Sequence, residues 1–399
     1  MRVACLTFWF YDYTIQMANE LARHTDVLLL LPDYRSEEYL ESIRPEVKVH
    51  VFGYSQHAGR PGPSCYPMIR DIVAAIDDFA PDIVHFQVNN PMLCPLIPML
   101  RRYPLVATFH DIEPHPGEDR LMDIGSLLYR LTLFLSRILT DRIFVHGAAL
   151  KEILVERYHL PERKVHVIPI GEHEVTPFTR FREEGLEPDG PRVLFFGRIH
   201  RYKGLDCLIQ AEPLITQEVA SARIVIAGTG EEFGRYEEMM AGREAFEVYN
   251  YRIPYDEGAR LFQQASVVAL PYTEASQSGV IPTAYGFKKP VVVTDVGSLP
   301  EVVDNGKTGY IVPPGDPAAL AGAIVSLLKD PEACRRMGEE GYTKLKTDMA
   351  WSGIVESLLA VYNELAPTPE YGSSVVDKGF SRTEPAAGEE PAENTLPDG

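Results

Sequence analysis

Short apolar runs rich in Val, Ile, Leu and Phe recur along the chain, and between them the apolar positions fall at helical spacing. The runs at 3–8, 27–31, 47–52, 83–86, 105–109, 143–145 and 165–168 predict one set of strands, and those at 193–196, 224–227, 246–249, 267–270, 291–294 and 310–312 predict a second. Strands alternating with helices build parallel sheets from βαβ units, so the expected fold class is α/β with one parallel sheet per set. Between the sets, segment 171–190 is rich in Glu, Pro and Gly and has little periodicity. The predicted organisation is therefore a first domain over 1–172, a linker over 173–190 and a second domain over 191–350. A helical pair at 331–346 and 351–365 closes the folded part, and the segment 351–366 is expected to pack back toward the first domain. Beyond Pro367 the chain turns to Pro, Glu, Gly, Ser and Ala, which bury too little surface to offset their ordering entropy. Residues 367–399 are expected to form a disordered acidic tail.

Composition narrows the class. A chain of 399 residues exceeds what a single hydrophobic core usually organises. With 45% hydrophobic and 24% charged residues it reads as globular and water-soluble, and no apolar run is long enough to span a membrane. The start, Met1 to Phe8, carries a charge and a short strand pattern in place of a leader sequence. Cys5, Cys65, Cys94, Cys207 and Cys334 are odd in number and scattered, which fits a reducing cytoplasm better than a disulfide framework or a zinc knuckle. A net charge of -19 opposes binding to nucleic acid, which is not an expected partner.

Open parallel sheets bind ligands beyond the carboxyl ends of their strands, so two such domains predict a site in the cleft between them. Four strand ends stand out. After the run at 193–196, Gly197 permits a sharp turn, Arg198 offers a planar fork for phosphate oxygens and Lys203 adds a compact ammonium before a helix. After the run at 267–270 a polar loop leads to a helix start at Ser278, Gly279 and Val280, whose free backbone N–H groups favour an anion. The run at 105–109 ends in His110 and Asp111. The first run leads through Trp9 and Phe10 to Tyr11, Asp12 and Tyr13, a loop whose helix is expected from about Thr14 and whose aromatics suit an acceptor wall.

Competing chemistries have weaker signals. His110, Asp111, Glu113, His115, Glu118 and Asp119 include metal-ligand types, but they lie in a loop with Pro114 and Pro116, where helical spacing does not enforce convergence, and no Asp-x-Asp element accompanies them. The expectation is no metal. Gly228-Thr229-Gly230 after a strand prompts a nicotinamide-dependent oxidoreductase, yet a lone Gly-x-Gly is a weak signal and leaves Arg198 and Lys203 unexplained. The helical pattern over 121–139 has a broad apolar face with Arg130 and Arg137 on one side. It fits a core helix edged by arginines, or peripheral contact with the inner face of a membrane; the strand pattern that follows at once favours the first.

Gly197-Arg198 with Lys203-Gly204, then Glu274 and the Ser278-Gly279 helix start, then Lys289-Pro290-Val291 through Gly297-Ser298-Leu299-Pro300-Glu301, together resemble the donor domain of glycosyltransferase family 4. The resemblance implies a GT-B architecture of two Rossmann-like domains facing across a cleft, a retaining mechanism, a nucleotide diphosphate sugar as co-substrate, no cofactor, and a glycan, lipid-linked or small-molecule acceptor. It makes Gly197, Arg198, Lys203, Gly228, Ser278, Gly279, Val280 and Thr283 candidate donor-binding residues. His110, Arg198, Lys203 and Glu274 become candidate catalytic residues, and Tyr11, Asp12, Tyr13 and Asp111 candidate acceptor-side residues. The sequence departs from the family pattern in three places. Ala275 and Thr283 stand where the family has two glutamates, so that Glu274 takes the first role only through a one-residue shift, and the Gly-Gly turn after the first strand is missing. Thr283 in place of a glutamate keeps a non-catalytic sugar-nucleotide binder open as an alternative, and a sugar nucleotide epimerase of the same fold is a further one.

Overall fold

The computed structural model describes residues 1–34, 39–54, 65–113, 124–172, 178–186, 188–230 and 233–366. Every predicted strand is present within two residues of its expected ends. In the first sheet are β1 (Arg2–Leu6), β2 (Asp26–Pro32), β3 (Lys48–Phe52), β4 (Ile83–Val88), β5 (Leu105–Phe109), β6 (Arg142–Val145) and β7 (Val165–Val167). The second holds β8 (Arg192–Phe196), β9 (Arg223–Ala227), β10 (Phe246–Tyr249), β11 (Val267–Leu270), β12 (Val291–Thr294) and β13 (Gly309–Val312). The orders are β3-β2-β1-β4-β5-β6-β7 and β10-β9-β8-β11-β12-β13, with parallel pairing throughout. In each sheet the order reverses beside its first strand, between β1 and β4 and between β8 and β11, which opens the crevice where such sheets take ligands.

The helices of the first half are α1 (Tyr11–Leu21), α2 (Tyr66–Phe79), α3 (Leu93–Met99), α4 (Ile124–Leu139) and α5 (Ala148–Glu152). Those of the second are α6 (Leu205–Glu218), α7 (Gly234–Met240), α8 (Tyr255–Gln264), α9 (Val280–Gly286), α10 (Leu299–Val302), α11 (Pro317–Leu328), α12 (Pro331–Thr347) and α13 (Trp351–Leu365). Two predicted features, the tail at 367–399 and residues 121–123 of the fourth helix, lie outside the described residues. One expectation is corrected: α1 begins at Tyr11, not near Thr14. The N–H and the side-chain hydroxyl of Thr14 both donate to the Phe10 carbonyl, at 3.0 and 2.6 Å, and close a turn over 11–13; Asp12 adds a carboxylate at the positive end of the helix.

Both faces of each sheet are covered. Although α13 follows the second domain in the chain, its apolar face joins the core of the first. Trp351, Ile354, Val355, Leu358 and Tyr362 are buried in one cluster with Val3, Cys5, Tyr13, Ile15 and Leu29. This packing ties the end of the folded chain to its beginning. Across the gap, Gly147 lies so close to the second half that a Cβ there would meet Ser298 Oγ at 2.0 Å. Beside it, the Glu301 carboxylate accepts the backbone N–H groups of Ala148 and Ala149 at 2.6 and 2.9 Å.

The α13 contact carries a titratable group. His85 on β4 is fully buried, pairs through Nε2 with Thr108 Oγ1 at 2.7 Å and through Nδ1 with Tyr362 Oη, and burial pushes its pKa down from 6.5 to about 3. Between those values the unfolded chain takes up a proton that the native imidazole refuses, so stability falls as pH falls through that window. The slope from this group approaches about 1.4 kcal/mol per pH unit. Urea unfolding followed from pH 7 to 4 is expected to lose most of one proton's worth of pH dependence in His85→Gln; parallel curves for the two proteins would contradict this account.

Candidate active site

A cleft of about 350 Å3 opens where the carboxyl ends of the two sheets meet. Phe10, Asp12 and Asp111 line it from the first domain. Gly197, Arg198, Lys203, Ser278, Gly279 and Val280 line it from the second, beside Tyr202, Tyr272 and Gln277. Phe178, Phe196 and Tyr255 close an aromatic end. The two cations and the start of α9, which follow separate strand ends, therefore converge on one space.

Backbone geometry explains why the cationic loop sits there. Gly197 turns with φ +108°, and its N–H donates to the Ala227 carbonyl at 2.9 Å. Gly228, with φ +149°, lies directly behind this turn: a Cβ there would stand 1.9 Å from the Gly197 carbonyl oxygen. Gly230 is equally tight, since its Cβ would meet the Ile199 carbonyl oxygen at 2.1 Å. The Gly-x-Gly thus serves close packing of the β8 and β9 loops, which removes the reason for reading a dinucleotide turn into it. Gly228 supports the Arg198 loop from behind and does not itself line the cleft.

Lys203 Nζ donates to Tyr272 Oη at 3.1 Å and lies 4.9 Å from the centre of that ring. Tyr272 Oη is 3.3 Å from Ser278 Oγ, which accepts the Val280 N–H at 3.3 Å. Thr283 is buried inside α9, where its hydroxyl donates to the Gly279 carbonyl at 2.9 Å, so it offers nothing to the cleft. Glu274 is exposed on the preceding loop and does not line the cleft, and Ala275 is buried.

On the opposite wall His110 is 1% exposed and lies behind Phe10, whose ring stacks on it at 3.6 Å. Its Nε2 pairs with Gln87 Oε1 at 2.8 Å. His110 therefore meets the cleft through Phe10 and does not form the surface itself. The first turn of α1 splits its residues. Asp12 faces the cleft, whereas Tyr11 stacks on Tyr39 and donates to the Tyr34 carbonyl at 2.6 Å, and Tyr13 is buried edge-on against Trp351 at 5.0 Å. A helix start near Thr14 would leave all three on one loop, whereas the start at Tyr11 separates them. Tyr39 Oη in turn meets Tyr255 Oη at 3.0 Å, a direct bond between the domains.

Among the described residues no group of three or more His, Cys, Asp or Glu converges as a metal site. Glu113 is engaged by Arg157 at 3.0 Å and by the Tyr158 hydroxyl, while His115, Glu118 and Asp119 lie outside the described residues. On the outer side of the first domain, α4 presents a ridge of exposed apolar side chains, Leu127, Leu131, Phe134 and Ile138. Arg130 is exposed beside them, but Arg137 is turned inward, with its guanidinium 3.7 Å from the centre of the Tyr158 ring and donating to the Ile112 carbonyl. The helix is thus both a core helix and an exposed ridge. No helix among the described residues is long and apolar enough to cross a membrane.

The residues missed in the sequence were Tyr272, Tyr202, Gln277 and Gln87, together with the aromatic end formed by Phe178, Phe196 and Tyr255. Tyr272 was within reach, because it follows Pro271 at the carboxyl end of β11, the same kind of position that singled out Arg198 and His110.

Comparison with known proteins finds a family match in each half of the chain. Residues 12–171 match the model of glycosyltransferase family 4, and residues 190–330 match that of glycosyl transferases group 1. The alpha-maltose-1-phosphate synthase of Mycobacterium tuberculosis is 25% identical over 358 residues, 80% of this chain and 91% of that protein. An uncharacterised glycosyltransferase of Methanocaldococcus jannaschii is 26% identical over 275 residues, 65% of this chain and 69% of its own. The D-inositol 3-phosphate glycosyltransferase of Nocardia farcinica is 30% identical, but the match spans only 56% of this chain and 52% of that one. In fold, sucrose-phosphate synthase from Thermosynechococcus elongatus superposes with a TM-score of 0.70 at 19% identity, covering 92% of this chain and 99% of the other. Anabaena HepE in complex with UDP-glucose follows at 0.69 and 16% identity, covering 91% and 99%.

Proposed function

We propose, from the premise that this chain belongs to glycosyltransferase family 4 and has the GT-B fold, that it moves a hexose-type sugar from a nucleotide diphosphate sugar to an acceptor hydroxyl. In this reading the anomeric configuration is retained and no metal is bound. The observation that carries the reading is the convergence of Arg198, Lys203 and the start of α9 on one cleft between two parallel sheets. HepE, which is similar in fold, is solved with UDP and UDP-glucose, so uridine nucleotides head the list of candidate donors.

Breaking the bond between sugar and diphosphate leaves negative charge on the departing phosphate oxygens. Arg198 contributes a fork that can hold two of those oxygens, Lys203 a point charge, and the α9 start oriented N–H groups. None of these donors needs to reorganise as the charge develops, which is what makes such an arrangement catalytic. On the acceptor side Asp12 and Asp111 offer carboxylates to sugar hydroxyls, and Phe10 an apolar face for a ring. In this account Glu274 and Thr283 have no part, and His110 acts through Phe10 and Gln87 to shape the floor.

Losing one preorganised donor of this kind costs roughly 3 to 4 kcal/mol of barrier, or about two to three decades in rate. Arg198→Ala and Lys203→Ala are each expected to lose that much turnover, measured by donor hydrolysis or by transfer once an acceptor is in hand; near-normal rates would remove these roles. Metal independence is checked separately. Activity should persist in EDTA, and its loss with recovery on adding magnesium or manganese would overturn that part.

The exposed ridge on α4 favours a second reading, in which the enzyme works on an acceptor held at a lipid surface. Leu127, Leu131, Phe134 and Ile138 form an apolar stripe with Arg130 beside it, the arrangement of a helix that lies in a bilayer interface. Co-sedimentation with vesicles of mixed neutral and anionic phospholipid is expected for the wild type and lost in Leu131→Glu/Phe134→Glu. A wild-type protein that stays in the supernatant would leave only an acceptor in solution.

A further inference from the structure

The geometry points to the hydroxyl of Tyr272 as the group that aims both Lys203 and Ser278 at the diphosphate, a positioning role. This inference rests on the donor reading above. Tyr272 is 2% exposed and its backbone is locked on several sides. Its carbonyl accepts the Thr294 hydroxyl at 2.5 Å, and the next N–H, that of Thr273, donates to the Tyr202 carbonyl at 2.7 Å. Just beyond Lys203, Gly204 packs under the Pro271 carbonyl so closely that a Cβ would stand 1.9 Å from its oxygen. The loop that carries the lysine and the strand end that carries the tyrosine are thus fixed against each other.

Within that frame one phenol oxygen joins the ammonium to the serine hydroxyl. An ammonium only donates, so Tyr272 Oη accepts from Lys203 Nζ at 3.1 Å, and the same oxygen lies 3.3 Å from Ser278 Oγ, a hydrogen bond in which either hydroxyl can donate. Ser278 Oγ also accepts the Val280 N–H, and Ser278 lines the cleft. The phenol therefore fixes the positions of the ammonium and of the serine hydroxyl at once.

The partner is neutral, and that matters. Among the described residues no carboxylate pairs with Lys203. The two positions where the family has glutamates hold Ala275 and Thr283, both buried. A carboxylate beside Lys203 would hold it equally well but would cancel the charge that has to act on the leaving phosphate. A phenol holds it through a hydrogen bond and the face of its ring and leaves the charge intact.

The test separates this role from packing. Tyr272→Phe keeps the ring, its edge contact with Tyr202 and its face toward Lys203, and removes only the hydroxyl. Melting temperature and calorimetric affinity are measured with UDP, GDP, ADP and dTDP and with the matching monophosphates. For the diphosphate that stabilises the wild type, Tyr272→Phe is expected to shrink the advantage over the monophosphate by about tenfold, the effect of losing a hydrogen bond to a charged group. Turnover should fall as well, and Ser278→Ala should cost a comparable factor. The double variant should cost less than the product of the two, because both cut the same relay. If Tyr272→Phe fails to fold, Ser278→Ala alone carries the test, with the same loss of diphosphate preference expected. A variant that folds and binds and turns over like the wild type overturns the inference and leaves the donor reading standing. If none of the four diphosphates stabilises the wild type, the donor reading falls and this inference with it.

Discussion

Everything in the cleft depends on two carboxyl edges of parallel sheets being held against the same small space. A parallel sheet delivers all its strand ends to one side, so β1, β5, β8 and β11 can each contribute a terminal residue without any of them being adjacent in sequence. Holding the two edges together falls to a few contacts. The Glu301 carboxylate on the first N–H groups of α5, the bond between Tyr39 and Tyr255, and the return of α13 into the first core span both halves of the chain. The first is of particular interest, because a carboxylate at a helix start is charge-assisted and directional. It fixes the domains at a distance at which Gly147 admits no side chain.

That architecture brings positive charge to one place in an acidic chain. With a net charge of -19, most of the surface repels a nucleotide diphosphate, and the attraction has to be local. Arg198 and Lys203 supply it at the end of β8, and the packing of Gly228 beneath Gly197 keeps their loop close to the sheet. The opposite wall, with Asp12 and Asp111, has the other sign. A cleft with cations on one side and carboxylates on the other presents opposite signs to what enters it, a positive wall on the second domain and a negative wall on the first.

The sheets were legible because buried parallel strands are continuous apolar runs, and such runs announce themselves whatever the tertiary context. Gly197, Arg198, Lys203 and Ser278 were legible because the ends of those strands are where such folds place ligands. What failed were inferences that needed a side-chain direction. Tyr11, Asp12 and Tyr13 look alike as a polar and aromatic loop, but one turn of helix sends Asp12 to the cleft and the tyrosines into the core. Gly228 and Gly230 look like a dinucleotide turn, whereas their neighbours are carbonyl oxygens of the β8 loop. His110 sits at the correct strand end, but the Phe10 ring covers it, a relation between two loops that no local pattern encodes.

Two of the departures from the family pattern, Ala275 and Thr283, fall at buried positions of the second domain. Thr283 spends its hydroxyl inside α9 on the Gly279 carbonyl, and Ala275 is buried against the Gly297 turn, whose Cβ position lies 1.7 Å from the Ala275 carbonyl oxygen. Both positions are buried, and neither side chain lines the cleft. The hydroxyls of Tyr272 and Ser278 instead occupy the region between Lys203 and α9, where they satisfy one another and the helix start without adding charge. The wall formed by the second domain consequently keeps its positive charge, and the carboxylates that line the cleft, Asp12 and Asp111, are both on the first domain.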